Sequence, residues 1–134
     1  MLGLAPAAHG ANRTGRIFTG DGLPDVLMHA MYGAVFASIP TSRHDKNGLA
    51  DAYNDAVVRC APPENKPTSK EIANCQPDLK LELAALTRLR VVVSLRKVVF
   101  DAYWRLMAAL GLKPQPRKNS RTRRSWSPRG GLSW

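Results

Sequence analysis

Leu89-Arg90-Val91-Val92-Val93-Ser94-Leu95, followed by Arg96-Lys97 and then 98–110, is the stretch on which the fold reading turns. Three consecutive valines between two leucines make a β-branched apolar run, the pattern of a strand buried on both faces of a parallel sheet. After it, Val99, Tyr103, Leu106 and Leu110 recur at helical spacing and form one apolar side. Upstream, 52–60 ends in the Val57-Val58 pair and reads as a second buried strand, terminated by Pro62-Pro63. Between the two strands, Thr68-Ser69-Lys70-Glu71 is a capping box, in which hydroxyl and carboxylate satisfy the free backbone donors of a helix start. Leu79, Leu83 and Leu86 give that helix an apolar face, and Pro77 is expected to interrupt or restart it. Further upstream, Leu27, Met31 and Val35 recur every four residues and predict a helix over 25–36, followed by a polar loop over 38–47. Alternating strands and helices place the chain in the α/β class, with a parallel sheet covered by helices.

At 134 residues and 44% hydrophobic composition, the chain is one domain, or a piece of one, able to build a core. Its net charge of +10 is unevenly distributed. Lys113, Arg117, Lys118, Arg121, Arg123, Arg124 and Arg129 place seven positive charges after Leu112, where no acid stands, and leave +3 on residues 1–112. The division is therefore a folded body over 1–112 and a basic tail over 113–134, which its low hydrophobicity and single-sign charge predict to be disordered. An excess of cations suits a phosphate-rich partner, because cationic side chains release counterions on binding nucleic acid. No apolar run has the length of a membrane span, and the first residues lack the charged-then-apolar order of a secretion signal. The expectation is a cytoplasmic, monomeric protein without a membrane partner.

The chemistry-bearing groups concentrate in two segments. The first is Gly3-Leu4-Ala5-Pro6-Ala7-Ala8-His9-Gly10-Ala11-Asn12-Arg13-Thr14-Gly15-Arg16-Ile17-Phe18-Thr19-Gly20-Asp21. Its glycines and alanines let backbone approach a flat ligand, and an imidazole, an amide, two guanidinium groups, an aromatic ring and a carboxylate are embedded among them. The plain alternative is a Gly/Ala-rich turn with a solvated polar rim. The second segment is Val57-Val58-Arg59-Cys60-Ala61-Pro62-Pro63-Glu64-Asn65-Lys66-Pro67-Thr68, followed by Cys75. Cys60 and Cys75 are the only cysteines. A disulfide is out of place in a cytosolic protein, and a zinc site would need two further ligands. Buried structural thiols and half of a larger metal site both remain open.

Taken together, the two segments resemble the type-5 branch of the iron–sulfur uracil-DNA glycosylases. That branch carries a GLAPAAHGANRTGR-F-TGD motif, matched here from Gly3 to Asp21, and an AAVRCAPP-NKPTP motif, matched as AVVRCAPPENKPTS. The likeness runs from Gly3 to about Leu112. It implies hydrolysis of the bond between uracil, or another deaminated base such as hypoxanthine, and its sugar after the base is flipped out of DNA. By resemblance, Asp21 positions or activates the attacking water, Asn65 hydrogen-bonds the base as it leaves, and His9 is a further catalytic candidate. Phe18 stacks on the base, the backbone of Gly3, Leu4, Ala5 and Ala7 contacts its edge, and Asn12 joins them. Arg13, Arg16 and Lys66 hold DNA phosphates. Ordinary core packing for Phe18, and turn or cap roles for Asp21 and Asn65, are the plain alternatives.

The resemblance also implies a structural [4Fe–4S] cluster, which takes four cysteine thiolates. Cys60 and Cys75 match two of them; the other two belong to a CxxC pair that lies before the first motif in the family. This chain begins two residues before that motif and does not carry a GSYHPS-QNT-like histidine motif in 113–134. The expected reading is a domain incomplete at both ends with an incomplete cluster site. Arg96 also stands where the family usually has glycine. Two rivals to the enzyme reading follow: a nucleic-acid-binding remnant without catalysis, and the product of a disrupted gene.

Overall fold

The computed structural model describes residues 1–20, 23–43, 47–112, 116–117 and 125–126. Its centre is strand β1 (Leu2–Gly3), which pairs in parallel with β2 (Asp55–Ala56), Leu2 against Asp55 and Gly3 against Ala56. On its other side Leu2 bridges in parallel to Ser94, the residue after strand β3 (Val92–Val93). Backbone bonds extend both pairings: Asp55 N–H donates to Met1 O, Val57 to Gly3, Val58 to Leu4, and Leu95 to Leu2. These three neighbours are the parallel sheet that the apolar runs imply. Pro116–Arg117 (β4) and Ser125–Trp126 (β5) add antiparallel partners in the order β3-β5-β4. The expectation of a disordered tail falls on 113–134, of which all but these four residues lie outside the described residues.

Helices lie on both faces. The helices are α1 (Ala11–Thr14), α2 (Leu23–Gly33), α3 (Ser69–Ala85) and α4 (Lys97–Ala109). Leu2, Val57, Val58 and Val92 form one core with Ile72, Leu79 and Leu83 of α3 and Val99, Ala102, Tyr103, Leu106 and Met107 of α4. Met28 and Met31 of α2 form a second with Ala37, against which Met1 and Phe18 pack. Successive strand residues point to opposite faces. Met1 accordingly joins the α2 core and Leu2 the α3–α4 core.

Four local expectations need correction. The helix read over 25–36 runs over Leu23–Gly33, and Val35, read on its apolar stripe, lies beyond its end at φ 65° and is exposed. The strands are two residues long rather than spanning 52–60 and 89–95, because each ladder can extend only as far as its partner, the Met1–Leu4 segment. The valine run is not covered throughout: Val91 and Leu95 remain exposed while Val92 is buried. Pro77 does not interrupt its helix, which runs unbroken over seventeen residues. Pro77 sits on the exposed face, while Ile72, Leu79 and Leu83 on the inner face anchor both halves to the core, and that packing outweighs one lost backbone bond.

The capping box forms as read: the Thr68 hydroxyl accepts from Glu71 N–H at 3.2 Å, and the Glu71 carboxylate accepts from Thr68 N–H at 2.6 Å. The Thr68 N–H, with the Thr68 hydroxyl donating to the same carboxylate at 2.8 Å, holds the Glu71 carboxyl below its usual range. Thr68→Ala removes the cap and is expected to cost about 1 kcal/mol in a denaturant melt.

Candidate functional site

Because β1, β2 and the Ser94 extension of β3 run parallel, the segments that follow them leave the sheet at one edge: 4–20 after β1, 57–68 after β2, and Arg96-Lys97 after β3. In open α/β sheets this carboxyl edge is where ligands bind.

Gly3 and Phe18 meet there. A Cβ added at Gly3 would lie 2.7 Å from Phe18 Cζ and 2.9 Å from Cε1, so the tip of the aromatic ring abuts the strand where only glycine leaves room. Phe18 adopts φ 60°, a left-handed conformation that a bulky residue rarely takes, and is half-buried against the α2 core. Its core contact and its place at the edge coexist. Leu4 and Ala5 are half-buried against the α3–α4 core. The Leu4 carbonyl accepts from Val58 N–H, and the Ala7 carbonyl accepts from Gly10 and Asn12 N–H at the start of α1.

His9, Asn12 and Arg13 are exposed, with Arg13 Nε donating to His9 O at 3.2 Å. Arg16 Nη1 donates to Asn47 O, which ties this loop to the segment after 43. Asp21 lies outside the described residues. Across the edge, Pro63–Asn65 form a short 3₁₀ turn in which Glu64 and Asn65 take φ 52° and 56°. Asparagine tolerates that conformation, and here it leaves the Asn65 side chain exposed. Lys66 is exposed, 3.8 Å from the equally exposed Glu64. The structure thus brings Gly3 and Phe18 into contact and leaves His9, Asn12, Asn65 and Lys66 open to solvent.

Cys60 is exposed, and Cys75 is half-buried against the α3–α4 core. Among the described residues no cluster of three or more His, Cys, Asp or Glu side chains could hold a metal ion. Two thiols do not complete the four-thiolate set that a [4Fe–4S] cluster requires. Also among the described residues, no helix is long and apolar enough to cross a membrane.

Sequence reading missed two arrangements. Arg59 bridges two carboxylates, pairing with buried Asp55 through Nη1 and with Glu82 of α3 through Nη2 at 2.7 Å. Burial, with a hydrogen bond that the protonated Glu82 carboxyl can give to Asp55, pushes Glu82 above its usual range. A strand residue and one four positions later carry no contact signal; the pair forms because the chain bends at Val57 and again at Arg59–Cys60. The second arrangement is the hydroxyl pair of Thr14 and Thr19.

The profile of the Uracil DNA glycosylase superfamily matches residues 1–130. The chain is 43% identical over 114 residues to a type-5 uracil-DNA glycosylase of Thermus thermophilus, covering 84% of this chain and 51% of the relative. It is 41% identical over 111 residues to that of Pyrobaculum aerophilum, covering 81% and 49%. To that of Mycobacterium tuberculosis it is 44% identical over 120 residues, covering 87% and 44%. The chain spans about half the length of these curated relatives.

Proposed function

Since the chain belongs to the Uracil DNA glycosylase superfamily, we propose that it acts in base excision repair, hydrolysing the glycosidic bond of uracil flipped out of DNA, with other deaminated bases such as hypoxanthine as further substrates. The observation that carries this reading is the Gly3–Phe18 contact at the carboxyl edge of the sheet. An aromatic ring seated at this edge, where Gly3 leaves room for it, supplies a surface on which a flipped base can stack. The exposed Asn65 amide, presented by a left-handed turn, supplies a donor to the base as negative charge develops on it. Asp21 handles the water and stabilises the sugar cation, and His9 and Asn12 stand earlier in the same segment. Arg13, Arg16, Lys66 and the net charge of +10 serve the phosphates.

The iron–sulfur cluster of the resembled family enters no step here, because the described residues offer two thiols toward four ligands. The protein is expected to work on DNA in the cytoplasm as a monomer.

The test is release of uracil from an oligonucleotide carrying one such base, read as alkali-induced cleavage at the resulting abasic site. Cleavage confined to the uracil position is expected; an intact strand would remove the enzymatic reading. Asn65→Ala is expected to slow release by roughly 10²-fold, the usual loss for one donor to a developing anion, and to weaken discrimination against thymine.

A further inference from the structure

We infer that Thr14 and Thr19 are positioning residues that close residues 14–19 into a hydrogen-bonded ring against the first turn of α1 and so hold Gly20, the residue before Asp21; the catalytic part of this inference rests on the function proposed above. Thr19 is buried, as few polar side chains are among the described residues. Its hydroxyl donates to Arg16 O at 2.7 Å. The Thr14 hydroxyl lies within hydrogen-bonding distance of the Thr19 hydroxyl and accepts from Arg16 N–H at 3.4 Å. Each hydroxyl has one proton to give. The Thr14 O–H also has Gly10 O and Arg16 O within reach, each at 3.3 Å, but the Thr19 hydroxyl is much nearer; given to Thr19, it closes a circuit from Arg16 N–H to Thr14, from Thr14 O–H to Thr19, and from Thr19 O–H back to the Arg16 carbonyl.

The backbone beside this circuit is equally constrained. Gly20 takes φ +90°, and a Cβ there would stand 2.9 Å from Thr14 Cγ2 and 3.1 Å from both Cα and O of Gly10. The last described residue before Asp21 therefore rests against the first turn of α1. Thr14 N–H and Gly15 N–H bond back to Gly10 and Ala11, which joins that turn to the circuit. Neither threonine offers its hydroxyl to the open edge, since both are committed to loop backbone and to each other. Their effect on catalysis is geometric: they hold the entry to Asp21 in place relative to Leu4–Ala7. A misplacement of about 1 Å can cost a reaction 10²-fold.

The experiment compares the full chain with Thr19→Val, Thr14→Val and Thr19→Ser. Valine keeps the branched shape and removes the hydroxyl; serine keeps the hydroxyl. Two readouts are taken: kcat and KM for uracil release, and the rate of tryptic cleavage at Arg13 and Arg16. Both valine variants should lower kcat at least tenfold with little change in KM, and both should be cut faster within the loop. Thr19→Ser should restore both readouts toward the parent. Valine variants with parental kcat and parental cleavage rates would overturn the inference, as would a loss that Thr19→Ser fails to recover. If the parent chain releases no uracil, the function reading falls by itself. Tryptic cleavage then decides the closed circuit alone, faster cutting of the valine variants supporting it and unchanged cutting overturning it.

Discussion

Asp21→Asn should slow uracil release about 10²–10³-fold while leaving affinity for uracil-containing DNA nearly unchanged. The amide keeps the shape of the carboxylate and loses its charge, which the proposed reaction would use twice. The attacking water needs an acceptor for its proton, and the sugar carries growing positive charge as the base departs. On the roles proposed above, ground-state binding draws on neither, because stacking on Phe18, the Asn65 contact and the phosphate cations would all be retained. Single-turnover release measured beside equilibrium binding separates the two effects. A parental rate for Asp21→Asn would move the water to another group, with His9 the first to test. Loss of binding in parallel with rate would mean that Asp21 holds the loop rather than the water.

The second large effect falls on stability. Arg59→Ala should cost about 3–5 kcal/mol, because it leaves Asp55 buried without its counter-charge. The Arg59 head is itself largely shielded, and its two ion pairs reach from the end of β2 across to α3. They therefore link the segment that presents Cys60 and Asn65 to the helix that bears Cys75. Against a typical domain stability of about 5–15 kcal/mol, such a loss brings the variant close to unfolding. A denaturant melt measures it, and Glu82→Gln, which keeps an acceptor for Nη2 at a half-exposed site, should cost much less. A loss under about 1 kcal/mol for Arg59→Ala would place the bridge with ordinary surface ion pairs.

These two residues mark different degrees of legibility. Asp21 stands out in sequence because it closes a dense run of chemically able groups, and the motif around it carries the family resemblance. Arg59 sits in the other motif and gave no signal beyond its charge. Its partners are a residue four positions earlier, across a bend, and another on α3. Contacts of that kind follow from no local period.

From the sequence alone came whatever depends on local chemistry or on a repeating pattern: the α/β class, the capping box of α3, the apolar sides of α3 and α4, and the two segments that gather at one edge. Helical and strand periods are properties of neighbouring residues, so a linear reading recovers them. The tertiary structure decided what depends on a partner distant in sequence. It shortened the strands to the reach of Met1–Leu4, kept Pro77 inside a continuous helix, set the tip of Phe18 against Gly3, and joined Thr14 to Thr19 and Arg59 to Glu82. In each case the outcome was set by the energy of packing or pairing against a distant element, which exceeds the local preference of the residue concerned and is written nowhere in its immediate sequence.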